Sequence, residues 1–310
     1  MVLSNEFLER IGIFFVSLLL FTIGVNQQAI IGFESRFYVF ALEMWQQGPS
    51  LFPTTYGRAY PDYPATFTFL TYLCALFAGG MSRLVAVFPT AIAASITVLL
   101  TYQIGALQNK RWGYYAVFLL LMTLAFFKNA RSISLDMMIT MVTTSCFYII
   151  YSVDVTDKRT RTKWIYPLFL LGFSLRGPIG LVIPAGVVCL YYLQNAAFRR
   201  LFFVGAAALL LLMLCTLLLS FAAEHVGGLH FLDTVLRTEV VGRMGNDTSI
   251  YFYFTHLLQD YALSSILACI TIIGVLYYEE CLSVHTPALK LLLKLIGWVA
   301  VIMLGMSIPG

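Results

Sequence analysis

The sequence predicts an all-α, polytopic membrane bundle of about nine transmembrane helices, with further juxtamembrane helices on its outer face. Hydrophobic residues make up 60% of the 310 and charged residues only 11%, whereas soluble domains carry roughly 25% charged residues. A bilayer core takes roughly 20 apolar residues of helix, and about nine runs approach that length. The basic residues cluster between these runs in a way that sets one orientation.

The first run, 11–31, follows Arg10 and has no small-x-small cleavage site, so it reads as an uncleaved signal anchor with a cytoplasmic N-terminus. The next runs are 84–106, 113–130, 137–153, 164–175, 178–194, 201–222, 258–278 and 290–306. The fifth is short, and Arg176-Gly177-Pro178 separates it from the sixth. The apolar stretch 65–80 is decided by charge. If it does not span, Lys110-Arg111, the cluster from Lys158 to Lys163, Arg199-Arg200 and Lys290 all share the cytoplasmic side. It is therefore expected as a juxtamembrane or re-entrant helix.

The chain reads as one transmembrane domain, 1–310, with outer-face segments at 32–83 and 223–257. Within the first, Phe37, Phe40, Ala41, Met44 and Trp45 recur at helical spacing, which predicts an amphipathic surface helix over Glu34–Gln47 ended by Gly48-Pro49-Ser50. The six cysteines lack CxxC or framework spacing, so disulfides and zinc sites are not expected. The net charge of +4 is scattered by topology, which excludes a nucleic-acid partner.

This topology sends nine of the fifteen carboxylates outward or to the outer boundary: Glu34, Glu43, Asp62, Asp136, Glu224, Asp233, Glu239, Asp247 and Asp260. Arg36, Arg58, Arg131, Arg176, Arg237 and Arg243 join them against the bias that sets orientation. An anionic ligand is one reason to keep arginines there.

Four ordered segments then stand out: Phe33-Glu34-Ser35-Arg36-Phe37, Asp62-Tyr63-Pro64, Ala130-Arg131 with Asp136 five residues on, and Arg176-Gly177-Pro178. At these residues the chain resembles the membrane-embedded GT-C glycosyltransferases, in the branch of the lipid A aminoarabinose transferases and protein O-mannosyltransferases. The resemblance implies a polyprenyl-phosphate-linked sugar donor and a hydroxyl acceptor on lipid A, another glycolipid or glycan, or a protein. It also implies an active site on the periplasmic side of a bacterial inner membrane. Phe33 stands where the family usually has an aspartate, so either Glu34 takes that role or the catalysis is altered. Family members usually continue through more helices and often a soluble outer domain, so a chain stopping at Gly310 is expected to be a fragment lacking the C-terminal region.

Sugar transfer to an alcohol needs a carboxylate to take the acceptor proton and cations to stabilise the departing phosphate. Glu34 and Asp136 are the candidates for the first need. Arg36, Asp62, Tyr63, Arg131, Arg176 and Arg243 are the candidates for substrate binding. Each has a plainer alternative: Glu34 complements a helix dipole, Asp62 stabilises its turn, Arg131 pairs locally with Asp136, and Arg176 snorkels at a helix end. The resemblance implies that Tyr251-Phe-Tyr-Phe254 contacts lipid phosphate or sugar, but an interfacial aromatic belt explains the run more simply. No metal is assigned, although Glu34, Asp62 and Asp136 offer the oxygen donors that Mg²⁺ or Mn²⁺ prefers. The competing classes are a secondary transporter, for which Asp260 near the start of a span is the best residue, and an inactive remnant of a glycosyltransferase.

Overall fold

A computed structural model describes residues 5–62, 64–157, 159–238, 261–278 and 287–307. Tyr63, Arg243 and Asp260 lie outside these residues, as do Glu239, Asp247 and the aromatic run 251–254. The described chain is all-α apart from one two-residue hairpin, Thr54–Thr55 (β1) with Arg58–Ala59 (β2).

The helices are α1 (Asn5–Thr22), α2 (Glu34–Gln47), α3 (Thr66–Ala78), α4 (Arg83–Ala106), α5 (Lys110–Met122), α6 (Leu124–Ala130), α7 (Leu135–Thr156), α8 (Ile165–Gln194), α9 (Phe198–Leu236), α10 (Ala262–Tyr278) and α11 (Pro287–Ser307). Five described helices are long and apolar enough to cross a membrane, or six if α5 and α6 form one broken span. The chain is an integral membrane protein. About nine spans were expected; the count of five or six is of the described residues, and α8 carries two of the expected runs in one bent helix.

The surface helix largely obeys its periodicity: α2 buries Phe37, Phe40, Ala41 and Met44 while Trp45 is only half-buried, and Gly48 ends it at φ 93° with its N–H on the Met44 carbonyl. At 13 residues, α3 is about 20 Å long, too short to span. The run 113–130 is not one helix. At Thr123, with ψ 104°, the chain leaves helical geometry, and α6 turns 77° from α5. The run 201–222 also extends: α9 continues to Leu236 through a break at Gly228 (φ 71°), which lays Phe231 against Phe52 of the hairpin segment at a ring separation of 5.2 Å.

Helix α8 folds back on itself. Arg176 (φ −139°, ψ 28°) and Gly177 (φ 60°, ψ −148°) are non-helical, and a Cβ on either Gly172 or Gly180 would overlap the other's carbonyl. Two residues eight positions apart in a straight helix lie about 12 Å apart, so only an antiparallel reversal brings them together. Gly172 also meets the Val142 side chain of α7. The tip itself reaches the first turn of α7, where Arg176 pairs with Asp136. Small residues do the same between α4 and α5, where a Cβ on Gly105 would lie 2.7 Å from the Gly113 nitrogen.

Contacts sort the polar groups into two ends. Lys110 approaches Glu9 at 3.4 Å, Gln108 donates to Tyr151, and Arg200 faces Asp154 at 3.9 Å, which gathers the basic turns at one end. Asp136 starts α7 at the other end, about 27 Å from Asp154 along a 22-residue helix. That opposite end holds α2, α3 and the α8 tip.

Candidate functional site

At the α8-tip end, three carboxylates each meet an arginine from a different segment. Glu34 opens α2, where a first-turn acid complements the helix dipole. Its Oε1 lies 2.8 Å from Arg83 Nη1, and its Oε2 accepts from the Ile133 N–H at 3.1 Å. The same Arg83 nitrogen donates to the Ala29 carbonyl at 2.5 Å. Side-chain exposure is only 11% for Glu34 and 8% for Arg83. One carboxylate thereby ties together the starts of α2 and α4 and the turn before α7.

Asp62, buried at 3%, approaches Arg36 at 3.5 Å, and its own N–H bonds the Tyr60 carbonyl. The Arg36 guanidinium sits over the rings of Phe33, Phe37 and Tyr60 at 4.6, 5.1 and 5.7 Å. Phe33 is itself exposed at 71%. Phe33 therefore forms one wall beside Arg36, which is a cation–π contact.

Asp136 lies in the first turn of α7, where Ser134 caps the helix by accepting from the Met137 N–H. Ser134 is anchored in turn by its N–H on Thr90 Oγ1 of α4, at 3.2 Å. Asp136 forms an ion pair with Arg176 at the α8 tip, and its side chain is 67% exposed, far more than that of Glu34. The tip is where helix α8 restarts at Pro178, a residue suited to a first helical turn because it has no N–H to leave unsatisfied.

Arg131 does not pair with Asp136. It donates to the Leu20 and Ile23 carbonyls at 2.7 Å each, closing the C-terminal end of α1, and stacks over Phe127. Glu43 accepts from the Tyr56 and Gly57 N–H groups, so it holds the β1–β2 turn. Arg237 pairs with Asp233 one turn away on α9, at 2.8 Å. Tyr63 and Arg243 fall outside the described residues.

Arg83 belongs to this constellation and was not among the sequence candidates. Its only sequence signal was a cation opening an apolar run. Among the described residues, no group of three or more His, Cys, Asp or Glu is placed to hold a metal ion. Glu34, Asp62 and Asp136 form no oxygen cage because each faces a guanidinium. Cys74 of α3 is half-buried, and burial pushes its thiol up, away from a reactive thiolate. Two cavities, of about 580 and 160 Å³, lie at the basic end.

The fold matches two solved structures of ArnT from Cupriavidus metallidurans. The form bound to undecaprenyl phosphate matches over 99% of this chain with a TM-score of 0.76 and 15% identity. The apo form matches over 95% with a TM-score of 0.65 and 14% identity. The chain spans little more than half of those proteins, 56% and 59% respectively. No curated protein sequence matches. The family model described as dolichyl-phosphate-mannose-protein mannosyltransferase matches residues 61–225, a little over half of the chain. That stretch contains Asp62, Arg83, Arg131, Asp136 and Arg176, and on it the chain belongs to the dolichyl-phosphate-mannose-protein mannosyltransferase family of GT-C glycosyltransferases.

Proposed function

We propose that the chain carries the catalytic end of a glycosyltransferase that moves a sugar from a polyprenyl phosphate to an acceptor hydroxyl at the outer, periplasmic face of a bacterial inner membrane. The observation that carries this reading is the ion pair between Asp136 and Arg176, set at the end of the bundle away from the basic turns. The ArnT fold, solved with undecaprenyl phosphate bound, supports a lipid phosphate as the anionic partner.

The roles follow from exposure and partners. The donor phosphate competes with Asp136 for Arg176, and Arg36 supplies a second cation held by Asp62 and its aromatic walls. Displaced from the guanidinium, Asp136 takes the proton of the acceptor hydroxyl as its oxygen attacks the anomeric carbon. The bond from that carbon to the phosphate oxygen breaks, and the lipid phosphate leaves with the electron pair, stabilised by the arginines. Glu34 has both oxygens engaged, so its role is to hold the turn bearing Asp136 in register with α2 and α4. Arg131 fixes the end of α1 and touches no substrate.

The experiment is transfer or release of label when the purified chain is incubated with radiolabelled polyprenyl-phosphate sugars and lipid, glycan or protein acceptors. The reading predicts polyprenyl phosphate and labelled product in equal amounts. A folded chain, supplied with the rest of its polypeptide if it is part of a longer one, that releases neither contradicts it.

A further inference from the structure

A cavity lies at the end opposite the proposed active site. It is about 580 Å³ and is lined by Asp154 at the end of α7, Tyr192 and Asn195 at the end of α8, and Phe198, Arg199 and Arg200 at the start of α9. The glycosyltransferase reading uses none of these residues.

Its charge balance is positive. Asp154 is the one carboxylate lining it, and Asp154 is already engaged: Oδ2 accepts from the Tyr191 hydroxyl at 2.7 Å and from the Asn195 amide at 3.1 Å, and Oδ1 faces Arg200 at 3.9 Å. Behind Tyr191, the Lys294 ammonium of α11 donates to the same hydroxyl at 2.9 Å, adding further positive charge to the wall. Arg200 remains 45% exposed, and Arg199 lies over Phe203 at 5.9 Å, so both guanidiniums retain donors for an anion.

The surroundings decide which anion. Phe198 lines the cavity and is exposed, and from its mouth an exposed apolar lane runs along α9 through Phe202, Phe203, Leu209 and Leu210. A free phosphate has no use for such a lane. A phospholipid does, with its headgroup among the arginines and its acyl chains against α9. At about 580 Å³ this open cleft has room for a headgroup, well above the roughly 30 Å³ of a single water.

We propose that this cavity is a binding site for one anionic glycerophospholipid of the cytoplasmic leaflet, its phosphate held by Arg199 and Arg200. The bound lipid bridges the inner ends of α7, α8 and α9 and leaves the outer site untouched. The inference rests on the orientation of the bundle in the membrane and is independent of the transferase chemistry.

The test is native mass spectrometry and thermal unfolding of the full chain in detergent, titrated with phosphatidylglycerol, phosphatidylcholine or inorganic phosphate. One phosphatidylglycerol should bind and raise the unfolding midpoint, while phosphatidylcholine and millimolar phosphate should not. R199Q/R200Q should weaken that binding by about tenfold or more. K110Q/R111Q, which removes another adjacent pair of cations at that end, should leave it intact. Equal binding of phosphatidylcholine, full occupancy by phosphate alone, or equal losses in the two double variants would each overturn the proposal. Sugar transfer measured in parallel reports on the outer site separately, so failure of one reading does not masquerade as failure of the other.

Discussion

Arg83 Nη1 lies 2.8 Å from Glu34 Oε1, so a cation opening α4 closes on the carboxylate that opens α2, 49 residues earlier in the chain. Both side chains are nearly enclosed, and the second carboxylate oxygen holds the Ile133 N–H. Removing one partner of such a pair strands the other charge out of water.

Arg83→Met should therefore destabilise the fold by about 3 kcal/mol, and Arg83→Met combined with Glu34→Leu should cost less than the single change. Chemical unfolding of the two single variants, Arg83→Met and Glu34→Leu, and of the double in detergent measures the difference. A double variant as unstable as the sum of the singles would show that the pair has no coupling.

The α8 reversal depends on two glycines with no room for a methyl group. Gly172→Ala pushes a Cβ into the Gly180 carbonyl and should cost about 2 kcal/mol, whereas Gly186→Ala, whose nearest neighbour is the Val301 side chain at 3.8 Å, should be neutral or slightly stabilising. Parallel unfolding midpoints for the two alanines make the comparison. Equal midpoints would mean the hairpin halves do not touch there.

Arg131 closes α1 through two charged hydrogen bonds to backbone carbonyls. Arg131→Gln should lower stability by about 1–3 kcal/mol while leaving donor affinity in the folded protein unchanged. Donor binding by the folded variant is the readout that separates this role from phosphate recognition, and a large affinity loss at unchanged stability would return Arg131 to the substrate site.

Some of this was legible in the sequence and some was not, for physical reasons. The 3.6-residue spacing of Phe37, Phe40, Ala41 and Met44 marked α2 and its buried face, and the basic turns marked 65–80 as too awkward to span. Arg176-Gly177-Pro178 marked the break in α8, because a glycine at positive φ followed by proline interrupts any helix. The bend at Thr123 left little trace: from Tyr114 to Phe127 the run is apolar except for Thr123 itself, without glycine or proline, and hydropathy does not record a backbone angle. Partners were hidden for another reason. Local spacing suggested Arg131 with Asp136, but Asp136 pairs with Arg176, and Arg131 reaches carbonyls 108 and 111 residues earlier in the chain. Arg83 went unnoticed because a cation at the edge of an apolar run resembles any interfacial arginine until the fold supplies Glu34.

The most direct measurement is single-turnover sugar transfer by Asp136→Asn and Arg176→Gln, with donor binding measured on the same folded preparations. With Asp136 as the base and Arg176 on the phosphate, Asp136→Asn should bind donor at least as tightly as the parent yet react at least about a hundredfold more slowly, and Arg176→Gln should lose donor affinity. Turnover by folded Asp136→Asn within a few-fold of the parent would contradict the assignment.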